Sequence, residues 1–326
     1  MSSSVVFRGT LRELYERVGS QEVGHSIPSS HEVPCKFFCA YWVAAGIYGN
    51  VCIVHGPAGC AFNAKELRHF NCAYCGVGYE FTLTTGVDHQ TVIFGGERQL
   101  EAAVLQVARE QRPEMITVLT TCSSGIIGDD VEAVVQDLRG RVGCPLVLIR
   151  CEGFAGDFRS GYDEAYRALI SVMERGEKRK GLVNILGTRR GPDPVASNGE
   201  YDELLRMIRA LGLSVNAVIS GGTTVRELVA APRAELNLTW CTDLGLRLGR
   251  LMEEEFGIPY AAHGMPYGLG ATRDFIREIA GFTGRQDEAE RFIRAEEERV
   301  APVLALTRML VEGRTAIVSL GPIRSI

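Results

Sequence analysis

From about residue 50 onward, apolar runs alternate with amphipathic stretches, and the alternation repeats along the chain. Residues 51–55 form a short apolar run that ends in His55-Gly56-Pro57, a turn signal. Residues 91–94 are a second short apolar run, closed by Gly95-Gly96, and 97–111 carry helical periodicity. The pattern then predicts a strand at 115–121, a helix at 129–142, a strand at 145–150 and a helix at 163–174. Repetition of strand and helix in this order implies a parallel sheet covered on both faces.

Residues 174–181 are charged and glycine-flanked, in the manner of a linker, and a second alternation follows at once. Strands are predicted at 182–186, 214–219, 234–239 and 258–262. Helices are predicted at 200–211, 224–230, 242–256, 270–283 and 286–310, the last long and charged. A further apolar run at 315–320 leads into Gly321-Pro322 and opens a third unit. The fold class is therefore α/β, with successive doubly wound (Rossmann-like) parallel-sheet domains. The expected divisions are 1–50 as an N-terminal segment with subunit-interface loops, 51–180, 181–313, and 314–326 as the start of a truncated third domain.

Composition narrows the classes little. The 326 residues are 46% hydrophobic and 23% charged, ordinary for a globular chain with a large core. A net charge of −5 gives no reason to expect nucleic acid or an anionic membrane surface as partner. No apolar run has the length of a bilayer span, and the first twenty residues lack a basic region followed by an apolar one. The expectation is a cytoplasmic protein. A phosphate-binding G-x-x-x-x-G-K-[ST] loop is absent, so ATP hydrolysis is not expected of this chain.

Ten cysteines are the feature that changes the picture, and seven of them fall in the first 122 residues. In a reducing compartment such a set points to metal or redox chemistry rather than to disulfides. Cys60 and Cys122 each follow a predicted strand, in Gly/Pro or Ser/Gly loops ahead of helical stretches, and Cys39 is read as lying in another loop. Strand-end loops are where doubly wound sheets bind ligands. Three thiolates on three such loops have the chemistry to grip one iron–sulfur cluster, and small residues let a bulky inorganic core approach the backbone. The competing reading makes them small buried hydrophobes. Cys72 and Cys75 form a lone C-x-x-C, with His69 a poor companion for a zinc site. Cys241 precedes an amphipathic helix, whose N-terminus favours a thiolate. Cys144 and Cys151 look like core positions.

Several separated motifs, in order, resemble the α subunit of the nitrogenase component 1 family. They are His55-Gly-Pro-Ala-Gly-Cys60, Val92-Ile-Phe-Gly-Gly96, Thr121-Cys122 with Ile127-Gly-Asp-Asp130, Arg150-Cys-Glu-Gly-Phe154, and Cys241 with Met252-Glu-Glu-Glu-Phe-Gly-Ile-Pro259. The resemblance implies a P-cluster-type iron–sulfur cluster shared with a homologous β subunit in an α2β2 assembly, its α-side ligands falling on Cys39, Cys60 and Cys122. The Cys39–Cys60 separation is about five residues shorter than in molybdenum nitrogenase, which makes Cys35 the alternative to Cys39. It further implies a nitrogenase-type metal–sulfur cofactor on Cys241, with Arg68 lining its pocket, and electrons delivered by an ATP-dependent iron–sulfur reductase to a small-molecule substrate.

Where dinitrogen-reducing members carry a glutamine and a histidine, this chain has Arg159 and then Tyr162 or Asp163. An imidazole shuttles protons near neutral pH more readily than a tyrosine or an ordinary aspartate. The expected activity is therefore a nitrogenase-like reduction of something other than dinitrogen, carbon–sulfur cleavage of methylthio-alkanes being one candidate. The alternatives are a scaffold on which such a cofactor is built and handed on, or a tetrapyrrole reductase subunit.

Overall fold

The computed structural model describes residues 35–72, 81–187, 198–219 and 222–315, together with Glu13; for residues 66–72, 198–200 and 243 it describes the backbone alone. Two four-stranded sheets and one two-stranded pair occur among the described residues, and every strand pairing is parallel.

The first sheet is built from β2 (Asn50–His55), β3 (Thr82–Thr84), β4 (Met115–Thr120) and β5 (Leu146–Ile149), in the order β3-β2-β4-β5. The short β1 (Ile47–Tyr48) precedes it. Six consecutive buried residues in β2 and again in β4 mark strands covered on both faces. The chain leaves β2 through α2 (Ala58–Cys72) toward β3 on one side, and later leaves β4 through α5 (Cys122–Ile127) and α6 (Val131–Leu138) toward β5 on the other. Adjacent strands whose connections part in opposite directions leave a crevice beyond their carboxyl ends. Between β3 and β4 lie α3 (His89–Phe94) and α4 (Glu97–Glu110).

The second sheet repeats the design with β6 (Arg179–Leu186), β7 (Ser214–Ile219), β9 (Ala234–Thr239) and β10 (Tyr260–Ala261), ordered β10-β9-β6-β7. Its parting point lies between β6 and β9, and Cys241 follows β9 there. The helices are α8 (Asn198–Ala210), the short α9 (Val225–Val229) after β8 (Thr223–Thr224), α10 (Thr242–Phe256), α11 (Gly268–Thr283) and α12 (Gln286–Val311). Ile47 and Tyr48 of β1 pair with Thr223 and Thr224 of β8, which ties the chain before the first sheet to the second. Among the described residues, no helix is long and apolar enough to cross a membrane.

Between the sheets lies a layer of two helices, α1 (Lys36–Ala44) and α7 (Phe158–Ile170). Phe37, Cys39, Ala40, Tyr41, Val43 and Ala44 of α1 are all buried, as expected of a helix apolar on nearly every side. They join Tyr162, Ala165, Tyr166 and Leu169 of α7 in one apolar cluster, which also takes in Leu119 of the first sheet and Leu186, Ile219, Leu248 and Met252 around the second. Gly161 permits the close contact: a Cβ there would collide with the Lys36 carbonyl and lie 3.1 Å from Cys39 Cβ.

Several sequence expectations need correction. Cys39 lies in α1 and not in a loop, because the apolar Lys36–Ala44 segment is buried as a helix. Residues 91–94 are helical: Asp88 accepts hydrogen bonds from the Gln90 and Thr91 N–H groups and starts α3, which leaves Phe94 84% exposed. The Ser/Gly stretch after Cys122 is the helix α5, and α7 begins at Phe158, capped by Asp157, five residues before the predicted start. The 174–181 segment is partly strand, since β6 starts at Arg179. The predicted 187–199 loop lies mostly outside the described residues, as does the apolar run at 315–320 apart from Thr315.

The crevice between β2 and β4 depends on a missing side chain. A Cβ on Gly56 would fall 2.6 Å from Thr121 Cγ2. Replacing Gly56 by Ala is expected to cost roughly 1–3 kcal/mol of unfolding free energy, the range for overpacking. Gly59→Ala, three residues on, meets nothing within 4 Å and is expected to leave stability unchanged or slightly raised. Denaturant titration of the two variants against the native chain checks the contrast.

Candidate metal centre

The carboxyl end of β4 positions the site. Thr121 donates its hydroxyl to the His55 carbonyl at 3.0 Å, which fixes the loop carrying Cys60. Thr120 accepts the Cys151 N–H at 2.9 Å, which fixes the loop after β5. Ser124 closes the first turn of α5 by accepting the Thr121 N–H at 3.0 Å, with Cys122 as the first helical residue.

A buried polar pair braces the same loops. His55 Nε2 stands 2.9 Å from Asp129 Oδ2, and the two side chains are 0% and 1% exposed. Asp129 also accepts the Gly96 N–H at 2.9 Å, while His55 Nδ1 lies 3.0 Å from the Thr85 hydroxyl. With the proton on Nε2, the ring donates to Asp129 and accepts from Thr85. A Cβ on Gly96 would lie 2.8 Å from both Asp129 Oδ2 and His55 Cε1, so the glycine there is a steric requirement. Burial pulls the His55 pKa below its ordinary 6.5, and the hydrogen bond to Asp129 opposes that only in part.

Three thiols converge on these loops. Cys35 caps the amino end of α1, Cys60 lies in the first turn of α2, and Cys122 opens α5. A Cβ on Gly153, in the loop after β5, would lie 3.1 Å from Cys122 Sγ and 3.5 Å from Cys35 Sγ, so the absent side chain leaves room beside both sulfurs. The Cys60 thiol is pushed up by burial and then by its neighbours Cys122 and Cys35. Cys35 and Cys60 are partly buried and Cys122 is exposed. Cys39 lies one helical turn beyond Cys35, fully buried among apolar residues. The thiol that the structure brings to Cys60 and Cys122 is thus Cys35. Among the described residues, no three His, Cys, Asp or Glu side chains close around a single ion. The open spacing and the Gly153 space suit a larger thiolate-bound core.

Cys241 caps the amino end of the fifteen-residue α10 and is buried. The β6 end comes close to it: a Cβ on Gly187 would lie 2.9 Å from the Cys241 carbonyl, and one on Gly264 would lie 3.0 Å from Thr242 Cγ2. The buried Thr239 hydroxyl on β9, two residues before Cys241, has no hydrogen-bond partner among the described residues. A helix N-terminus, a thiol and an orphaned hydroxyl at a sheet's parting point are compatible with a ligand that accepts hydrogen bonds.

The other predicted residues lie elsewhere. Arg159 is exposed, its guanidinium 4.9 Å from the Phe158 ring centre. Tyr162 is buried and stacked on Tyr166. Asp163 pairs with Arg247 of α10 at 2.8 Å; burial raises its pKa, and Arg247 and Arg167 restrain the rise. The side chains of Arg68, His69 and Cys72, and all of Cys75, lie outside the described residues. The sequence reading missed the His55–Asp129 pair and the Thr120–Thr121 pair, although the spacing of glycines around His55 signalled close approach there.

The model for nitrogenase component 1 type oxidoreductases matches residues 35–326. The chain belongs to this family. It is 31% identical over 275 residues to the nitrogenase iron-molybdenum cofactor biosynthesis protein NifE of Clostridium pasteurianum, covering 82% of this chain and 58% of that protein. It is 30% identical over 306 residues to the nitrogenase molybdenum-iron protein alpha chain of Bradyrhizobium diazoefficiens, covering 88% and 60%. Among solved structures, nitrogenase Cp1 at pH 5 matches with a TM-score of 0.73 and 23% identity over 90% of this chain and 61% of that one, which bears on the fold alone. The chain spans about three fifths of the length of these relatives. The doubly wound α/β fold expected of the family is present in both sheets.

The buried histidine sets a pH dependence. Its folded pKa is lowered, so below 6.5 the unfolded chain binds a proton that the folded chain resists, and stability falls as pH falls. Chemical denaturation of the native protein is expected to show this loss as the pH falls below 6.5, and His55→Gln is expected to flatten it.

Proposed function

We propose that the chain is the α-like subunit of a nitrogenase-like reductase, in which Cys35, Cys60 and Cys122 hold an iron–sulfur cluster and Cys241 anchors a metal–sulfur cofactor. The observation that carries the reading is the meeting of Cys35 and Cys122 beside Gly153, with Cys60 near enough to both for its thiol to be pushed up by them. An iron–sulfur cluster bound there supplies one-electron transfer. The protein's part is to fix the three thiolates: Thr121 and the His55–Asp129 pair lock the loops of Cys60 and Cys122, and the α1–α7 contact holds Cys35.

The thiol edge is open and apolar. Phe62 follows Cys60 by two residues, Ile126 lies on α5, Phe154 adjoins Gly153, and Ile93 and Phe94 sit on α3, which touches α5; all are exposed. An apolar surface around half-exposed ligands suits a partner that completes both the surface and the ligand set, and we assign that role to a homologous β subunit. The electron donor in this reading is an ATP-dependent iron–sulfur reductase. With Tyr162 stacked in the core and Asp163 engaged by Arg247, neither side chain is disposed as a ready proton donor, which supports a substrate other than dinitrogen. Carbon–sulfur cleavage of methylthio-alkanes is one candidate reaction.

A second reading is favoured by a specific finding. NifE-named cofactor biosynthesis proteins stand beside alpha chains among the relatives. In that reading the chain binds the same groups but hands the cofactor on, and the engagement of Asp163 and Tyr162 fits it equally.

The deciding experiment is anaerobic iron and acid-labile sulfide analysis of the protein purified with its β partner, native against Cys241→Ala, with turnover measured on both. A partial loss of iron in the variant, with loss of turnover present in the native protein, is expected. Iron loss with no native turnover, but transfer of cofactor to an acceptor, establishes the scaffold. Equal iron in the two proteins removes Cys241 as an anchor and overturns both readings.

A further inference from the structure

Lys36 follows Cys35 directly and opens α1. Its side chain is only 7% exposed, unusual for a lysine. The stem runs against the loop before α7, where a Cβ on Gly156 would lie 3.4 Å from Lys36 Cδ, and its backbone carbonyl closes on Gly161. The burial is therefore built into the α1–α7 contact and is not an accident of one rotamer.

The charge on this lysine is poorly compensated. Among the described residues, the carboxylate within ion-pair reach is Glu164, with Oε1 3.9 Å from Nζ. That separation is too long for a hydrogen bond, and the Glu164 side chain is 45% exposed, so water screens it. A buried ammonium with so loose a partner is costly unless other negative charge lies nearby. The segment that its stem packs against borders the thiols: Gly156 follows Gly153 by three residues, and a Cβ on Gly153 would lie 3.1 Å from Cys122 Sγ and 3.5 Å from Cys35 Sγ. Burial and then Glu152 push the Cys151 thiol well up, while Lys36 pulls it back; Cys151 is in turn influenced by Cys35. Lys36, next to Cys35 in the chain and packed against Gly156, is thus a buried cation beside the segment that borders the candidate ligands.

We propose that Lys36 is a positioning charge for the iron–sulfur cluster held on Cys35, Cys60 and Cys122, and that its buried ammonium raises the cluster's reduction potential. The inference rests on the ligand reading given above. One electron added from a chemical reductant makes a thiolate-bound cluster more negative by one charge, and no proton on the protein needs to move. A fixed positive charge in a poorly screened interior stabilises that reduced state over the oxidised one. Glu164, the partial counter-charge, weakens the effect. The two residues therefore act on the potential with opposite signs.

The test is an anaerobic redox titration of the protein isolated with its β partner, followed by electron paramagnetic resonance and visible absorption. Four forms are compared: native, Lys36→Met, Lys36→Arg and Glu164→Gln. Lys36→Met keeps most of the stem and removes the charge; its midpoint is expected to move negative, so that at the native midpoint less than half of the cluster is reduced. Lys36→Arg is expected to stay near native, and Glu164→Gln to move positive. Unchanged midpoints, or shifts of Lys36→Met and Glu164→Gln in the same direction, overturn the proposal, because a merely structural role has no sign. If Lys36→Met fails to fold, the native, Lys36→Arg and Glu164→Gln midpoints decide alone. A native protein with no iron–sulfur signal overturns instead the ligand reading beneath it.

Discussion

Two consecutive threonines at the end of β4 hold the site together. Thr121 reaches sideways to the carbonyl of His55 and presses on Gly56; Thr120 reaches the other way to the amide of Cys151. The loops after β2, β4 and β5 are thereby fixed to one another, and each contributes to the thiol site: Cys60, Cys122 and the Gly153 space. Because Gly56 and Gly96 admit no side chain, the loops come closer than substituted residues would allow, and the His55–Asp129 pair fits between them out of water. A buried polar pair of this kind is tolerated because both partners accept a further hydrogen bond, Asp129 from the Gly96 amide and His55 from the Thr85 hydroxyl.

The topology explains why candidate thiols gather at two places. Both sheets have a parting point where neighbouring strands send their connections in opposite directions, between β2 and β4 and between β6 and β9. Cys60 and Cys122 occupy the first and Cys241 the second. The α1–α7 layer lies between them, and it carries residues that face each way: Cys35 toward the first site, and Asp163, through Arg247, toward the helix that Cys241 caps. Packing of that layer therefore sets the relation of the two sites as well as filling the core.

The alternation of apolar runs was sufficient to read the second sheet and three strands of the first, because buried parallel strands are short apolar runs and amphipathic helices keep their period; the half-buried Thr82–Thr84 gave no such run. It failed where local capping outweighed hydrophobicity. Thr91–Phe94 has the composition of a strand, but Asp88 supplies the cap that starts a helix, and its apolar residues end up on the surface. Cys39 failed for a different reason. A helix buried on all sides lacks an amphipathic signature, so the 36–44 segment gave no periodic signal and its thiol was read as a loop residue. Once that segment is helical, the thiol at its amino end is the one free to meet its neighbours, and the thiol one turn later belongs to the core. Cys60 and Cys122 were legible because glycine and proline mark a strand end in sequence, whereas a contact between residues 55 and 129 leaves no local trace.

Cys35, and not Cys39, is the thiol proposed to complete the ligand set with Cys60 and Cys122. The most direct test of this assignment is the iron and acid-labile sulfide content, with the electron paramagnetic resonance signal of the reduced cluster, of anaerobically purified Cys35→Ala and Cys39→Ala variants with their β partner. The account predicts that Cys35→Ala loses the cluster's signal and iron while Cys39→Ala keeps both. Retention in Cys35→Ala with loss in a folded Cys39→Ala would contradict it.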